Sequence, residues 1–160
     1  GGGKYGYIKT AGRFVINPQF EEVQPFSDGL ARVYDGSSYQ YFGTDGKPAF
    51  AERFAQGRDF HEGLARVERD QQWGYIGKDG KYVIHAQFGQ AGDFSEGLAR
   101  FRPTDRPGAG WGYINRSGTI VIDPVYSEVG DFHGGRALVR IEQRWVLIDP
   151  AGKIINLLPR

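Results

Sequence analysis

Three arginines recur at a spacing of 34 residues, and their guanidinium groups could bind an anionic partner. Arg32, Arg66 and Arg100 each follow the same Gly-Leu-Ala phrase. A guanidinium holds carboxylate or phosphate groups through paired hydrogen bonds. The alternative is pairing within the chain with a repeated aspartate, because a net charge of +1 leaves ample internal partners. The sequence favours internal pairing, and the three arginines stay candidate binding residues.

No set of side chains has the spacing of a catalytic or metal site. His61, His85 and His133 lack a second histidine at ligand spacing. The carboxylates recur with the arginines, and equivalent positions do not supply the two distinct carboxylates that glycoside hydrolysis needs. The serines lack a nucleophile elbow, and there is no cysteine. The sequence therefore predicts no enzyme activity, no metal and no cofactor.

Aromatic residues make up 14% of the chain, and most of them recur at the same positions of a longer pattern. A buried seam requires this recurrence, whereas exposed rings arranged the same way would stack on sugars. We expect the repeated rings to form the core. Tyr34 and Tyr82 fall outside the repeated positions, so we expect them to be exposed. They join the arginines as candidate binding residues.

All these residues belong to a 34-residue phrase that occurs four times, with a fifth copy begun. Its leading aromatic residue defines the register: Tyr5, Tyr39, Trp73, Trp111 and Trp145. One step is 38 residues, which places a four-residue insertion in the Pro- and Gly-rich loop 103–110. The second copy is the most divergent. A repeat of this length indicates an array of small units.

The third copy predicts a β-hairpin, an ordered loop and a third strand. Residues 73–76 and 81–84 are rich in β-formers and flank a turn in which Gly80 suits a left-handed conformation. Residues 85–97 are expected to form a loop anchored by two phenylalanines, and residues 98–101 a strand. One hairpin is marginal in water, so the units must stack. Three strands in 34 residues favour an all-β, open, solenoid-like array over a closed propeller.

Composition excludes several classes. The near-zero net charge argues against a protein held to nucleic acid mainly by charge. No apolar run is long enough for a transmembrane helix. The chain starts inside a repeat and without Met, so we expect a fragment or a processed product. We divide one domain as follows: a linker or cloning remnant at 1–3, repeats at 4–37, 38–71, 72–109 and 110–143, a partial repeat at 144–156, and an apolar cap at 157–160.

The phrase Trp-Gly-Tyr-Ile, followed by Gly, Val-Ile, Gln-Phe and Phe-Ser-Glu-Gly-Leu-Ala, resembles the bacterial WG-repeat family. The resemblance runs from Lys4 to about Asn156. It implies an all-β repeat architecture in bacterial proteins that are often envelope-associated or secreted. It carries over no catalytic residues and implies a binding or interaction role.

The sequence predicts a non-catalytic module that binds another protein or copies of itself. One alternative is a cell-envelope or glycan-binding module, which would need an exposed aromatic column or an anionic ligand for the arginines. Another is an accessory or immunity-type domain of a larger bacterial protein. The resemblance favours the envelope or secretion over the cytoplasm, and the sequence leaves the compartment open.

Overall fold

The computed structural model describes residues 4–8 and 14–157, and all regular structure in them is β. The expected linker at 1–3 and residues 158–160 of the expected cap lie outside this range. The strands are β1 Tyr5–Ile8, β2 Phe14–Phe20, β3 Glu22–Val23, β4 Leu30–Tyr34, β5 Tyr39–Gly43, β6 Gln56–Gly57, β7 Ala65–Arg69, β8 Gln72–Ile76, β9 Tyr82–Ala91, β10 Leu98–Pro103, β11 Trp111–Asn115, β12 Ile120–Tyr126, β13 Glu128–Val129, β14 Ala137–Ile141, β15 Arg144–Ile148 and β16 Ile154–Leu157. Every pairing is antiparallel, in sheets of two, three, seven and four strands, and none of the described sheets closes into a barrel. The predicted all-β repeat fold is confirmed.

The repeating structural unit is a meander of four strands, which we call a module. Its order is a short strand, an arginine strand, an aromatic strand and a return strand. Module 1 is β3–β5 with residues 48–54, module 2 is β6–β9, module 3 runs from the end of β9 to β12, and module 4 is β13–β16. The pair β1–β2 precedes module 1 as an aromatic strand and a return strand.

The return strand of one module leads directly into the short strand of the next. In β9 the two are continuous: Ile84 and Phe88 pair with β8, while Gln90 and Ala91 pair with β10. The loop expected over residues 85–97 is therefore wrong for residues 85–91, which are strand. Only residues 92–97 connect β9 to β10. Modules 2, 3 and 4 thus contain four strand segments instead of the three expected, and module 1 contains three strands and the segment 48–54.

The pairing of the aromatic strand with the return strand contains a bulge. Trp73 lies opposite Phe88 and Tyr75 lies opposite Ile84, so two residues of β8 span four residues of β9. The extra residues crowd the backbone of Gly74, which stands between the two aromatic residues. Strands β11 and β12 repeat the same offset. The glycine of the Trp-Gly phrase therefore lies where the return strand bends.

The residues at the turns between strands adopt the backbone conformations that these turns require. Gly80 has a φ of 80°, the left-handed conformation expected for it. The β7–β8 turn uses Asp70 and Gln71 at positive φ, as two-residue hairpins do. The inserted loop 103–110 replaces this tight turn between β10 and β11. The insertion therefore lengthens a hairpin tip and leaves the strand pairing intact.

Three of the four repeated aromatic positions form the core, as the sequence predicted, whereas the leading aromatic residues Tyr39, Trp73, Trp111 and Trp145, which were also expected there, are only partly buried. In the second, third and fourth copies the second aromatic of the phrase is fully buried, and the later phenylalanine and the return-strand ring are buried with it. The members lie in successive clusters along the chain: Tyr41, Tyr75, Tyr113, Phe54, Phe88, Tyr126, Phe60, Phe94 and Phe132. Burial of these rings supplies the main driving force for stacking.

Candidate functional site

The arginine column lies at the junctions between modules. Arg66 of β7 donates from Nε to Asp93 Oδ1 at 2.9 Å and from Nη1 to the Ala91 carbonyl at 2.8 Å. Arg32 makes the same two bonds to Asp59 and to the Gly57 carbonyl, at 3.1 and 2.6 Å. Each guanidinium therefore holds the beginning of the next module. This is the internal pairing that the sequence favoured for these residues.

Arg100 makes a looser version of the same junction. Its Nε lies 3.6 Å from Asp131 Oδ1, and its Nη1 donates to the Val129 carbonyl at 3.4 Å. Both side chains are more than a third exposed. In module 4 the column changes to Leu138, which lies opposite Leu147 on β15 and is 38% exposed. The binding of an external anion by this column stays a prediction.

We expect the Arg66–Asp93 pair to couple more strongly than Arg100–Asp131. Because the first pair has better geometry but remains partly exposed, a coupling energy of about 1 kcal/mol is expected for it. For the Arg100–Asp131 pair, a coupling energy of roughly half that value or less is expected. Double-mutant cycles with alanine, followed by urea unfolding, measure both. Equal coupling energies would contradict the role assigned to the junction geometry.

Tyrosine hydroxyls form a second set of bonds between modules. Tyr75 donates to the Gly92 carbonyl at 2.5 Å, and Tyr41 and Tyr113 donate to the residues at the same position of their following modules. Burial raises the pKa of Tyr75 well above its ordinary value, so the phenol keeps the proton that it donates. The ring of Phe94 meets Tyr75 edge to face with a centroid distance of 4.8 Å. This column is structural.

Carboxylates cap the turns across the same junctions. Asp28 accepts from the Gly63 backbone N–H at 2.7 Å, and Glu62 accepts from the Gly97 N–H at 3.0 Å. Both carboxylates come from residues at positive φ. The histidines form no metal cluster with other described side chains, and His61 instead lies 3.4 Å from Asp93. The repeated carboxylates thus complete the stacking contacts.

Tyr39, Trp73, Trp111 and Trp145 are only partly buried, and an arginine lies over each of these rings. The Arg66 guanidinium lies 5.5 Å from the centroid of Trp73, and Arg100 lies 5.7 Å from that of Trp111. Arg58 approaches Trp73 as well, at 5.5 Å. A sugar ring that stacked on these residues would have to displace a cation–π contact.

Two candidate tyrosines differ from their expected exposure. Tyr34 and Tyr82 are both half-buried. The ring of Tyr34 packs on Tyr39 with a centroid distance of 4.8 Å, and that of Tyr82 meets Phe54 at 6.5 Å. The expectation that they are exposed was wrong, because strand pairing places Tyr34 directly opposite Tyr39, and Tyr82 packs on the core around Phe54. Their role as binding residues stays a prediction.

An exposed apolar column, which the sequence alone did not reveal, runs along the return strands. Val83, Val121 and Ile155 occupy the same position of their phrases and are 54%, 41% and 54% exposed. On β12 the same outer face also carries Val125, which is 59% exposed. The sequence carries an apolar pair at Val83–Ile84 and at Val121–Ile122, and in each pair the isoleucine is buried. This pattern could not be interpreted because strand alternation does not say which of two adjacent apolar residues faces solvent.

A comparison with known protein families shows to which family the chain belongs. The family described as WG containing repeat matches residues 5–39, 73–102 and 111–145, which together make up more than half of the chain. The chain belongs to this WG-repeat family. Residues 40–72, which include nearly all of the second copy, fall outside the matched residues, in keeping with the divergence of that copy.

Other comparisons add little to the WG-repeat assignment. No curated protein matches the chain. Among solved structures, a protein of unknown function from Bacteroides caccae is 17% identical, with 98% of this chain and 74% of that chain covered and a TM-score of 0.38. Within the described part of the WG-repeat chain, no helix is long and apolar enough to cross a membrane.

Proposed function

We propose that this WG-repeat chain is a non-catalytic module that binds another protein, or another copy of itself, through its return strands. The observation that carries the proposal is the exposed apolar column of Val83, Val121 and Ile155. In contrast to the repeated apolar residues of the core, these side chains face solvent in modules 2, 3 and 4. Repeated exposed apolar surface is characteristic of protein-binding faces.

The proposal includes an open, solenoid-like arrangement of the modules. Support comes from the direction of the polar bonds between them. Arg32 and Arg66, like Tyr41 and Tyr75, reach forward to the module that follows in the chain. Contacts between successive neighbours are the organising rule of open repeat arrays. Such an array would present its return strands side by side to one partner.

The glycan-binding alternative has weaker support. It needs an aromatic face that is open to a sugar ring, and the partly exposed leading aromatics are the available candidates. Guanidinium groups already lie over Trp73, Trp111 and Trp145. The aliphatic character of the return-strand column favours a protein surface over a sugar.

Replacing Val83, Val121 and Ile155 with threonine is expected to weaken partner binding at least tenfold. Threonine keeps the β-branched shape but removes apolar area, at a cost of roughly 1 kcal/mol at each fully buried contact. Proteins retained from a lysate of the source cell are quantified by mass spectrometry, and self-association is followed by sedimentation velocity.

The matched control replaces the exposed polar residues His85 and Asp123 of the same strands with threonine. The control is expected to retain the partner and the self-association of the unmodified chain. If the apolar triple variant also retained both, the return strands would not be the binding surface.

A further inference from the structure

A cavity of about 700 Å³ opens where module 1 departs from the repeat. In module 2 the return strand belongs to the continuous strand β9, whereas the equivalent segment 48–54 meets β5 only in bridges at Pro48 and Phe54. The chain between these two bridges forms no strand. The cavity lies between this segment, the β7–β8 turn and the start of β9.

Two aromatic rings line the cavity. Phe54 is buried and Tyr82 is half-buried, and their rings meet edge to face at an interplanar angle of 85°. A smaller cavity of about 220 Å³ adjoins it and shares Arg69, Asp70 and Tyr82 as lining residues. The larger volume falls within the range of roughly 300–1,000 Å³ that small-molecule sites occupy.

The charges around the cavity differ from those at the junctions between modules. Arg53 is paired with Asp35 at 2.9 Å. The other charged residues of the lining make no ion pair with any residue in the described ranges: Glu52, Glu68, Arg69, Asp70 and Lys81. Three carboxylates against two cations leave an excess of one negative charge. The negative faces of the aromatic rings add to the attraction for a cation.

We propose that this cavity binds an organic cation with an apolar body. The apolar body lies against Phe54 and Tyr82, and the cationic group lies at the carboxylates of Glu52, Glu68 and Asp70. The site lies apart from the exposed apolar column, and neither proposal requires the other. The site would occur at one position of the array, because modules 2 and 3 have a return strand, β9 and β12, where module 1 has the segment 48–54.

Three small probes separate charge from apolar contact. Phenethylammonium carries both features, phenylacetate carries the same ring with the opposite charge, and ethylammonium carries the charge alone. In a ¹H–¹⁵N NMR titration, phenethylammonium is expected to shift the amides of residues 52–55, 68–70 and 80–82. The other two probes are expected to bind about tenfold more weakly or not at all.

Variants then test the named side chains. The double variant Glu68→Gln, Asp70→Asn is expected to weaken phenethylammonium about tenfold, and asparagine tolerates the φ of 52° at position 70. Tyr82→Leu is expected to weaken it by a similar factor, about tenfold. The exposed Asp105→Asn changes the net charge outside the cavity and is expected to leave binding unchanged. Absence of binding, equal binding of phenylacetate, or equal losses in Asp105→Asn would each overturn the proposal.

Discussion

Replacing Gly74 with alanine is expected to destabilise the protein by about 3 kcal/mol or more. A β-carbon on Gly74 would lie 2.6 Å from both the Ile84 carbonyl oxygen and the Ala86 amide nitrogen. Both neighbours are backbone atoms of the bulged return strand, so no side-chain rotation can relieve the clash. The midpoint of urea unfolding, read by tryptophan fluorescence, measures the loss.

Gly130→Ala is the matched control for that variant. The nearest atom to a β-carbon at Gly130 is the Leu138 carbonyl oxygen at 3.5 Å, which is an ordinary contact. Its φ lies outside the left-handed region. Alanine there is expected to be neutral or stabilising by up to about 1 kcal/mol, because it restricts the unfolded chain. Similar losses in both variants would remove the bulge as the reason for the glycine.

The same contact explains where the phrase tolerates other residues. At the β11–β12 bulge a β-carbon on Gly112 would also collide with backbone of the return strand. In module 4 the position is Val146, and β16 pairs with it without the four-for-two offset seen in modules 2 and 3. In modules 2 and 3 the glycine therefore accompanies the four-for-two offset. Module 1 has Gln40 at this position, although Tyr39 still lies opposite Phe54 and Phe42 opposite Pro48, so a side chain is tolerated where segment 48–54 forms no regular strand.

Phe94→Ala is expected to cost about 3–5 kcal/mol, and Phe94→Leu about 1 kcal/mol. Phe94 is 3% exposed and contacts Tyr75, whose hydroxyl bonds to the neighbouring Gly92 carbonyl. Removing the ring leaves a cavity at the junction of modules 2 and 3, whereas leucine refills most of it. Urea unfolding of the two variants gives the difference.

The exposed Val83→Ala serves as the reference for this pair of variants. It is expected to change stability by less than about 0.5 kcal/mol, because the side chain is 54% exposed. A small loss in Phe94→Ala, comparable with that of Val83→Ala, would mean that the junction does not depend on the buried ring.

The repeat register predicted much of the fold because each recurring residue type has one dominant structural use. Gly80 at a left-handed turn, Tyr75 in the core and the strand at 98–101 all follow from local chemistry and periodicity. The continuation of β9 did not follow. Its buried residues Ile84, Phe88 and Ala91 are spaced by four and three positions, because a bulge interrupts the alternation of two that identifies a strand.

The candidate site was predictable in position but not in exposure. The sequence identified the arginine column and the aspartates that could pair with it, and the structure places Arg32 and Arg66 against those aspartates. It could not rank Val83 against Ile84, since both are apolar and β-branched. Only the packing of neighbouring strands determines which of them faces solvent. The cavity beside segment 48–54 depends on the same kind of long-range packing.

The hydrogen bonds between modules join residues at constant sequence separations. Arg32 and Arg66 reach partners 27 residues ahead, and Tyr41, Tyr75 and Tyr113 reach partners 17 residues ahead. Duplicating or excising a 34-residue block in frame therefore gives each donor an acceptor of the same type. The number of modules can therefore change by gene duplication without a new type of contact between modules. The stretch from residue 48 to 54 shows the complementary freedom, since one copy can drift in sequence while its neighbours hold the stack together.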